Sequence, residues 1–187
     1  FAFNNICAND TVAFKNLSST YGDAITYTWN FADGSATSSV ESPLKVYATA
    51  KTYAVKLLVT STFGCKDSTT QNVAVYPNPV ANFTSSALTC NGKATNFTST
   101  STVSSGVIKS YLYDFSNGTT SNLKNPSYKF ASDGTFKTLL TVTTDRGCTD
   151  TITKSVTIAN QPVPNFEFSS VCAGNTISFV NKTTSVD

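Results

Sequence analysis

Five cysteines set a register that repeats along the chain. Cys7 and Cys65 lie 58 residues apart, and so do Cys90 and Cys148. The step from Cys7 to Cys90 is 83 residues and that from Cys90 to Cys172 is 82. Other residues keep the same step. Phe14, Phe97 and Phe179 each follow their cysteine by seven, and Pro43 and Pro126 follow theirs by 36. Tyr47 pairs with Phe130, Tyr53 with Phe136, Leu57 with Leu140 and Val59 with Val142. Gly64-Cys65-Lys66-Asp67 matches Gly147-Cys148-Thr149-Asp150. Self-similarity at a fixed period marks a repeat architecture. Repeat one spans 1–76 and repeat two 81–159. Pro77-Asn78-Pro79 lies in a linker at 77–80, and Pro162 and Pro164 lie in a second at 160–165; proline fixes φ and stiffens such joints. Residues 166–187 start a third copy and stop after its first hairpin, so a longer array is expected.

Within a repeat the apolar period is two. Ile25, Tyr27, Trp29 and Phe31 alternate with Thr26, Thr28 and Asn30, and Tyr53, Val55, Leu57 and Val59 alternate with Ala54, Lys56 and Leu58. Tyr111, Tyr113 and Phe115, then Phe136, Leu140 and Val142, carry the pattern in repeat two. Thr and aromatic residues suit a half-buried pleated surface. Turn pairs such as Asp33-Gly34, Phe63-Gly64, Asn91-Gly92 and Asn117-Gly118 separate the runs. No apolar run has helical spacing. The expected fold is all-β: tandem immunoglobulin-like sandwiches of roughly seven strands each, plus a partial third repeat. Trp29 sits on the inward alternation. It is read as core, against the alternative of a sugar-stacking platform, and Tyr113 takes its place in repeat two.

Composition narrows function. Of the 187 residues, 13% are charged, 72 are Ser, Thr or Asn, and none is His. Without His there is no Ser-His-Asp, Cys-His or His-ligated metal chemistry. Carboxylates are few and no acid–base constellation recurs, so the chain reads as not an enzyme. Twelve Lys and one Arg are dispersed along the chain, which argues against nucleic acid as a partner. No apolar run reaches the ~20 residues of a membrane helix, so membrane insertion is not expected. No secretory leader opens the sequence, consistent with a mature chain or a fragment. Asn-x-Ser/Thr matches at Asn16, Asn82, Asn96, Asn117 and Asn181 follow from the composition.

The motifs resemble a known family. Tyr27-x-Trp29-x-Phe31-x-Asp33-Gly34 is similar to the PKD (polycystic kidney disease) domain signature Y-x-W-x-F-G-D-G. Pro43-x-x-x-Tyr47 and Tyr53-x-Val55-x-Leu57-x-Val59 resemble the elements that follow it. Tyr27, Trp29, Phe31, Tyr53, Tyr113, Phe115 and Phe136 are the core signature of the two repeats. Some positions depart from the pattern. Ala32 and Ser116 stand where Gly is usual, Asn117 replaces Asp, and Lys45 and Tyr128 replace a common His. Asp33 is read as a turn residue bonding nearby amides. The cysteine-paired form of the repeat resembles those of large Bacteroidetes surface proteins, including gliding-motility adhesins. That resemblance implies secretion (by a type IX route), a location that is extracellular, on the cell surface or secreted, and partners among neighbouring repeats of the same chain, polysaccharide or a solid surface.

The simplest cysteine pairing is Cys7–Cys65 and Cys90–Cys148, with the partner of Cys172 beyond the sequence. Bonding needs Cα atoms within about 7 Å, and these turns could instead lie at opposite ends of a sandwich. Zinc is a poor alternative, since two cysteines and no His cannot complete four ligands. No cofactor is expected, calcium being the one open possibility. Asp67 and Asp150, matched after the cysteines, read as hairpin-end residues or as calcium ligands. Tyr21, Phe63 and Tyr128 lie off the clean inward alternation and are the ligand-binding candidates. Two functions stand. The first is a non-catalytic, disulfide-stapled spacer or adhesive rod of a large bacterial cell-surface adhesin, serving surface attachment or gliding. The second is a carbohydrate-binding accessory of a secreted polysaccharide- or protein-degrading enzyme. A third thought concerns Phe166, Phe168, Ile177 and Phe179, an apolar hairpin face that needs a cover.

Overall fold

The structure, a computed structural model, describes residues 1–4, 6–20, 22–86 and 89–184. Among these there is no helix, so none that could cross a membrane. The first repeat holds β1 (Ile6–Cys7), β2 (Thr11–Ala13), β3 (Ile25–Asn30), β4 (Leu44–Val46), β5 (Thr52–Ser61) and β6 (Lys66–Tyr76). One sheet has the order β1-β6-β5-β3 and β2 pairs with β4 in the other. The alternation seen in the sequence becomes burial. Trp29 is fully buried opposite Leu57 on the neighbouring strand. Val12 and Phe14 meet it from the β2 side, and Val55, Val73 and Val75 complete the layer. Phe1 packs edge-on to the indole at 5.0 Å and Phe14 lies 5.4 Å from it.

The second repeat holds β7 (Phe83–Ser85), β8 (Thr89–Cys90), β9 (Ala94–Ser99), β10 (Ile108–Asp114), β11 (Thr120–Ser121), β12 (Ser127–Lys129), β13 (Gly134–Thr144) and β14 (Thr149–Ala159). Its sheets run β11-β10-β13-β14-β8 and β12-β9-β7. Tyr113 takes the Trp29 position, with Phe83 at 5.6 Å and Phe97 at 5.7 Å. Thr95 and Thr138 are fully buried where repeat one has Val12 and Val55, and neither hydroxyl finds a partner among the described residues. An unpaired buried hydroxyl weakens a core by about 1–3 kcal/mol. β15 (Phe166–Phe168) and β16 (Phe179–Asn181) form an antiparallel hairpin. Its ring pairs Phe166–Phe179 and Phe168–Phe179, at 5.8 and 6.0 Å, copy Phe1–Phe14 and Phe3–Phe14, both at 6.0 Å.

The chain forms two compact units. The first joins Phe1–Val80 with Thr102–Lys109 and Val142–Asp150, so it includes the tip of the β13–β14 hairpin; the second holds Ala81–Ser101, Ser110–Thr141 and the chain from Thr151. Within the first unit Cys7 is bonded to Cys148, with Cα atoms 5.6 Å apart. Cys65, Cys90 and Cys172 are free. This corrects the pairing expected from the repeated span. The reason is strand length. β1 runs parallel to β6 with Cys7 beside Tyr76, at the end of β6, whereas Cys65 precedes its first residue. Eleven residues at ~3.3 Å each put those two cysteines roughly 36 Å apart. Cys90 lies beside Ala159 at the end of β14, and Cys148 precedes β14, which is also 11 residues long. No bond within a repeat can span that distance.

Candidate functional site

The family-signature turn is the most organised polar feature of the first unit. At the end of β3, Ala32 has φ +58°, and Ser116 has φ +59° at the matching place in repeat two. The left-handed region costs a residue with a Cβ about 1–2 kcal/mol, the physical reason glycine is usual here. Each turn has a local compensation. Asn30 Oδ1 accepts a hydrogen bond from the Ala32 amide at 2.9 Å, and Asp114 Oδ1 accepts one from the Ser116 amide at 2.8 Å.

Asp33 follows the strained residue. Its Oδ1 accepts from the Ser35 amide at 3.1 Å and from the Ser35 hydroxyl at 2.6 Å. Its Oδ2 meets the Lys45 ammonium at 2.7 Å. The ammonium also lies 5.1 Å from the Phe31 ring centre and 5.9 Å from that of Tyr47, a cation–π arrangement. Repeat two replaces the whole group with neutral parts. Asn117 Nδ2 donates to the Tyr128 hydroxyl at 2.6 Å, and Tyr128 stacks on Phe115 at 4.0 Å. Tyr128, a ligand candidate in the sequence, is thus used in holding its own turn. Sequence reasoning missed Lys45 as the partner of Asp33, although the paired changes Asp33 to Asn117 and Lys45 to Tyr128 carried the signal.

Burial alone would raise the Asp33 carboxyl, but the hydrogen bonds from Lys45 and Ser35 outweigh it and hold the pKa at about 2, against 3.8 for a free carboxyl. A depressed carboxylate adds stability above its unfolded pKa, and that stability is lost as pH falls from about 4 towards 2. Solvent reaches both side chains, so the contribution is about 1 kcal/mol. Asp33→Asn should lower stability at pH 7 by that amount and flatten the loss between pH 4 and pH 2, as read from urea midpoints. An unchanged acid slope in the variant would show that Lys45 does not govern this carboxylate.

The other candidates are scattered. Tyr21 lies outside the described residues. Phe63, at the tip of the β5–β6 hairpin, is 81% exposed. Nearby an open groove of about 390 Å³ is lined by Ser18, Thr20, Ile25, Val59, Cys65 and Asp67 among others. Asp67 Oδ1 accepts from the Ser68 amide at 2.7 Å, the local bond of a hairpin-end residue. Asp150 has the corresponding place in repeat two, at the start of β14. No group of three Cys, Asp or Glu among the described residues could hold a metal ion. Trp29 is fully buried and offers no stacking platform. At the hairpin tip of repeat two, Arg146 takes the position of Phe63, and its guanidinium lies 5.1 Å from the Tyr76 ring centre. Nothing in the sequence singled out that contact.

The family model of the PKD domain matches residues 2–75 and again 76–160. The chain belongs to the PKD domain family. Its two PKD domains stand in tandem, each an all-β immunoglobulin-like module. Over 90 residues the chain is 38% identical to the pre-pro-metalloprotease PrtV of Vibrio cholerae serotype O1, in strain M66-2 and in strain ATCC 39315 / El Tor Inaba N16961. That stretch is 48% of this chain but only 9% of the length of those curated relatives. Among solved structures, the PKD1 domain of the Vibrio cholerae metalloprotease PrtV is 36% identical with a TM-score of 0.40, covering 43% of this chain and 96% of that one. The PKD1 domain of Vibrio anguillarum Epp is 33% identical with a TM-score of 0.40, covering 43% and 93%.

Proposed function

We propose that this pair of PKD domains is a non-catalytic extracellular spacer in a large bacterial cell-surface adhesin, serving surface attachment and gliding. Its sequence repeats are 1–76 and 81–159, followed by the proline segments 77–80 and 160–165, with a third repeat starting at 166. The observation that carries the reading is the Cys7–Cys148 bond, which ties one repeat to the next. A domain that only displays a ligand site has no need of such a tie, whereas one that transmits load does. Two further features support it. The signature rings Trp29, Phe31, Tyr113 and Phe115 are buried, so the largest aromatic surfaces serve cohesion. An oxidised bond also fits an extracellular location, since disulfides persist in oxidising compartments.

A second reading, a carbohydrate-binding accessory of a secreted hydrolase, rests on Phe63 and the neighbouring groove. An exposed ring beside hydroxyl and carboxylate groups is the chemistry that holds a sugar. Glycan-array screening separates the two readings. The spacer reading expects no binding at micromolar concentration. Saturable binding that Phe63→Ala removes would overturn it in favour of the accessory module.

A further inference from the structure

Each repeat carries one cysteine at each end of its last strand. Cys7 and Cys90 stand at the exit end, beside Tyr76 and Ala159. Cys65 and Cys148 stand at the other end, in the turn before that strand. The one bond formed joins the exit end of repeat one to the hairpin tip of repeat two. Around it, Cys148 is only 1% exposed and Arg146 covers Tyr76.

The free cysteines are copies of the bonded ones. Cys90 repeats the surroundings of Cys7: the same parallel pairing to the last strand, and the same following turn. The Cys7 carbonyl accepts from the Asp10 amide at 3.1 Å, that of Cys90 from the Lys93 amide at 3.0 Å, and that of Cys172 from the Asn175 amide at 3.1 Å. Cys65 repeats Cys148, but it is exposed, and Phe63 projects where Arg146 finds Tyr76. Val59 and Ser61 line the groove beside Cys65 and are only partly buried, whereas their counterparts Val142 and Thr144 are buried.

We propose that Cys90 is the disulfide site for the hairpin-tip cysteine of the repeat that starts at Phe166, and that Cys65 is the site for the exit-end cysteine of a preceding repeat. The bonds then run in a staggered series, each joining the first cysteine of one repeat to the second cysteine of the next. Two thiols give up two protons and two electrons as the S–S bond forms. A disulfide-bearing oxidant accepts them and is itself cleaved to two thiols. The repeated span places the incoming cysteine about 58 residues after Cys172, the separation of Cys7 from Cys65 and of Cys90 from Cys148. The 82-residue step from Cys90 to Cys172, close to the 83 of the first step, keeps this geometry in register.

Peptide mapping without reduction, after free thiols are alkylated, tests the series on the full-length natural chain. The expected result is one peptide pair joining Cys90 to the second cysteine of the third repeat. An alkylated Cys90, a Cys90–Cys148 pair, or a natural chain with no cysteine in that place would overturn it. A second measurement uses the 187-residue chain alone. Cys7→Ser should leave Cys148 alkylated beside Cys65, Cys90 and Cys172 in the monomer, because an 11-residue strand separates the two ends of each repeat at which Cys65, Cys90 and Cys148 stand. A Cys90–Cys148 bond in that variant would also sink the series. Neither result depends on whether the protein binds a glycan.

Discussion

Reducing the Cys7–Cys148 bond should lengthen the chain under load by about 490 Å. The bond closes a segment of 141 residues, and a stretched chain spans at most about 3.5 Å per residue. While the bond holds, pulling on the two termini can extend only the residues outside it. Those are residues 1–6 and 149–187, 45 in all, and amount to roughly 160 Å. With the bond cut, both sandwiches lie in the line of force and can unravel. Single-molecule extension before and after a reductant reads the difference directly, and Cys7→Ser should reproduce the reduced trace without reductant. Equal contour lengths in the two states would show that the bond does not carry the load and would remove the main support for a spacer. The bond should also matter without force. In the loop-entropy account, closing so long a loop stabilises the folded state by about 5 kcal/mol, less any native distortion. Because the loop starts in repeat one and ends in repeat two, reduction should lower the unfolding midpoints of both.

The sequence made the core legible and the cross-link illegible, and each has a physical cause. Period-two alternation is a direct record of which side of a strand is wet, so Trp29, Tyr53, Leu57 and Tyr113 could be placed inward from the letters alone. Cysteine spacing records no such thing. A span of 58 residues fits a bond within a repeat as well as a bond between repeats. What decides is that β1 is only Ile6–Cys7 and pairs parallel to the far end of β6. A two-residue strand carries no periodic signal. Thr95 and Thr138 were hidden for another reason: Thr is common on the wet face of a sheet, and only alignment with Val12 and Val55 would have moved them inside. Ala32 and Ser116 hid a positive φ because neither is glycine. Two of the polar candidates near solvent are engaged in their own turns. Tyr128 is held by Phe115 and Asn117, and Asp67 by its neighbouring amide, so polarity that reads as a site is largely turn chemistry.

Trp29→Ala should be the most damaging single substitution in the first repeat, at about 4 kcal/mol. The indole is fully buried, with Phe1 edge-on at 5.0 Å and Phe14 at 5.4 Å, and its removal leaves a cavity that a clasped sandwich cannot collapse to fill. Trp29→Phe should cost far less, about 1 kcal/mol. The indole Nε1 has no hydrogen-bond partner among the described residues, so phenylalanine gives up contact area but relieves a buried N–H that itself costs about 1–3 kcal/mol. Tyr113 shows that a smaller ring works at this place, with its hydroxyl reaching the Lys124 carbonyl at 3.3 Å. Trp29 is the single tryptophan, so its fluorescence follows the first repeat in the parent, while circular dichroism must follow the variants. Urea unfolding of all three gives the ranking. A loss below 1 kcal/mol for the alanine variant would mean that the ring is not the keystone of the sandwich. A phenylalanine variant as weak as the alanine one would mean instead that the N–H is bonded, and that indole chemistry rather than ring volume fixes this position.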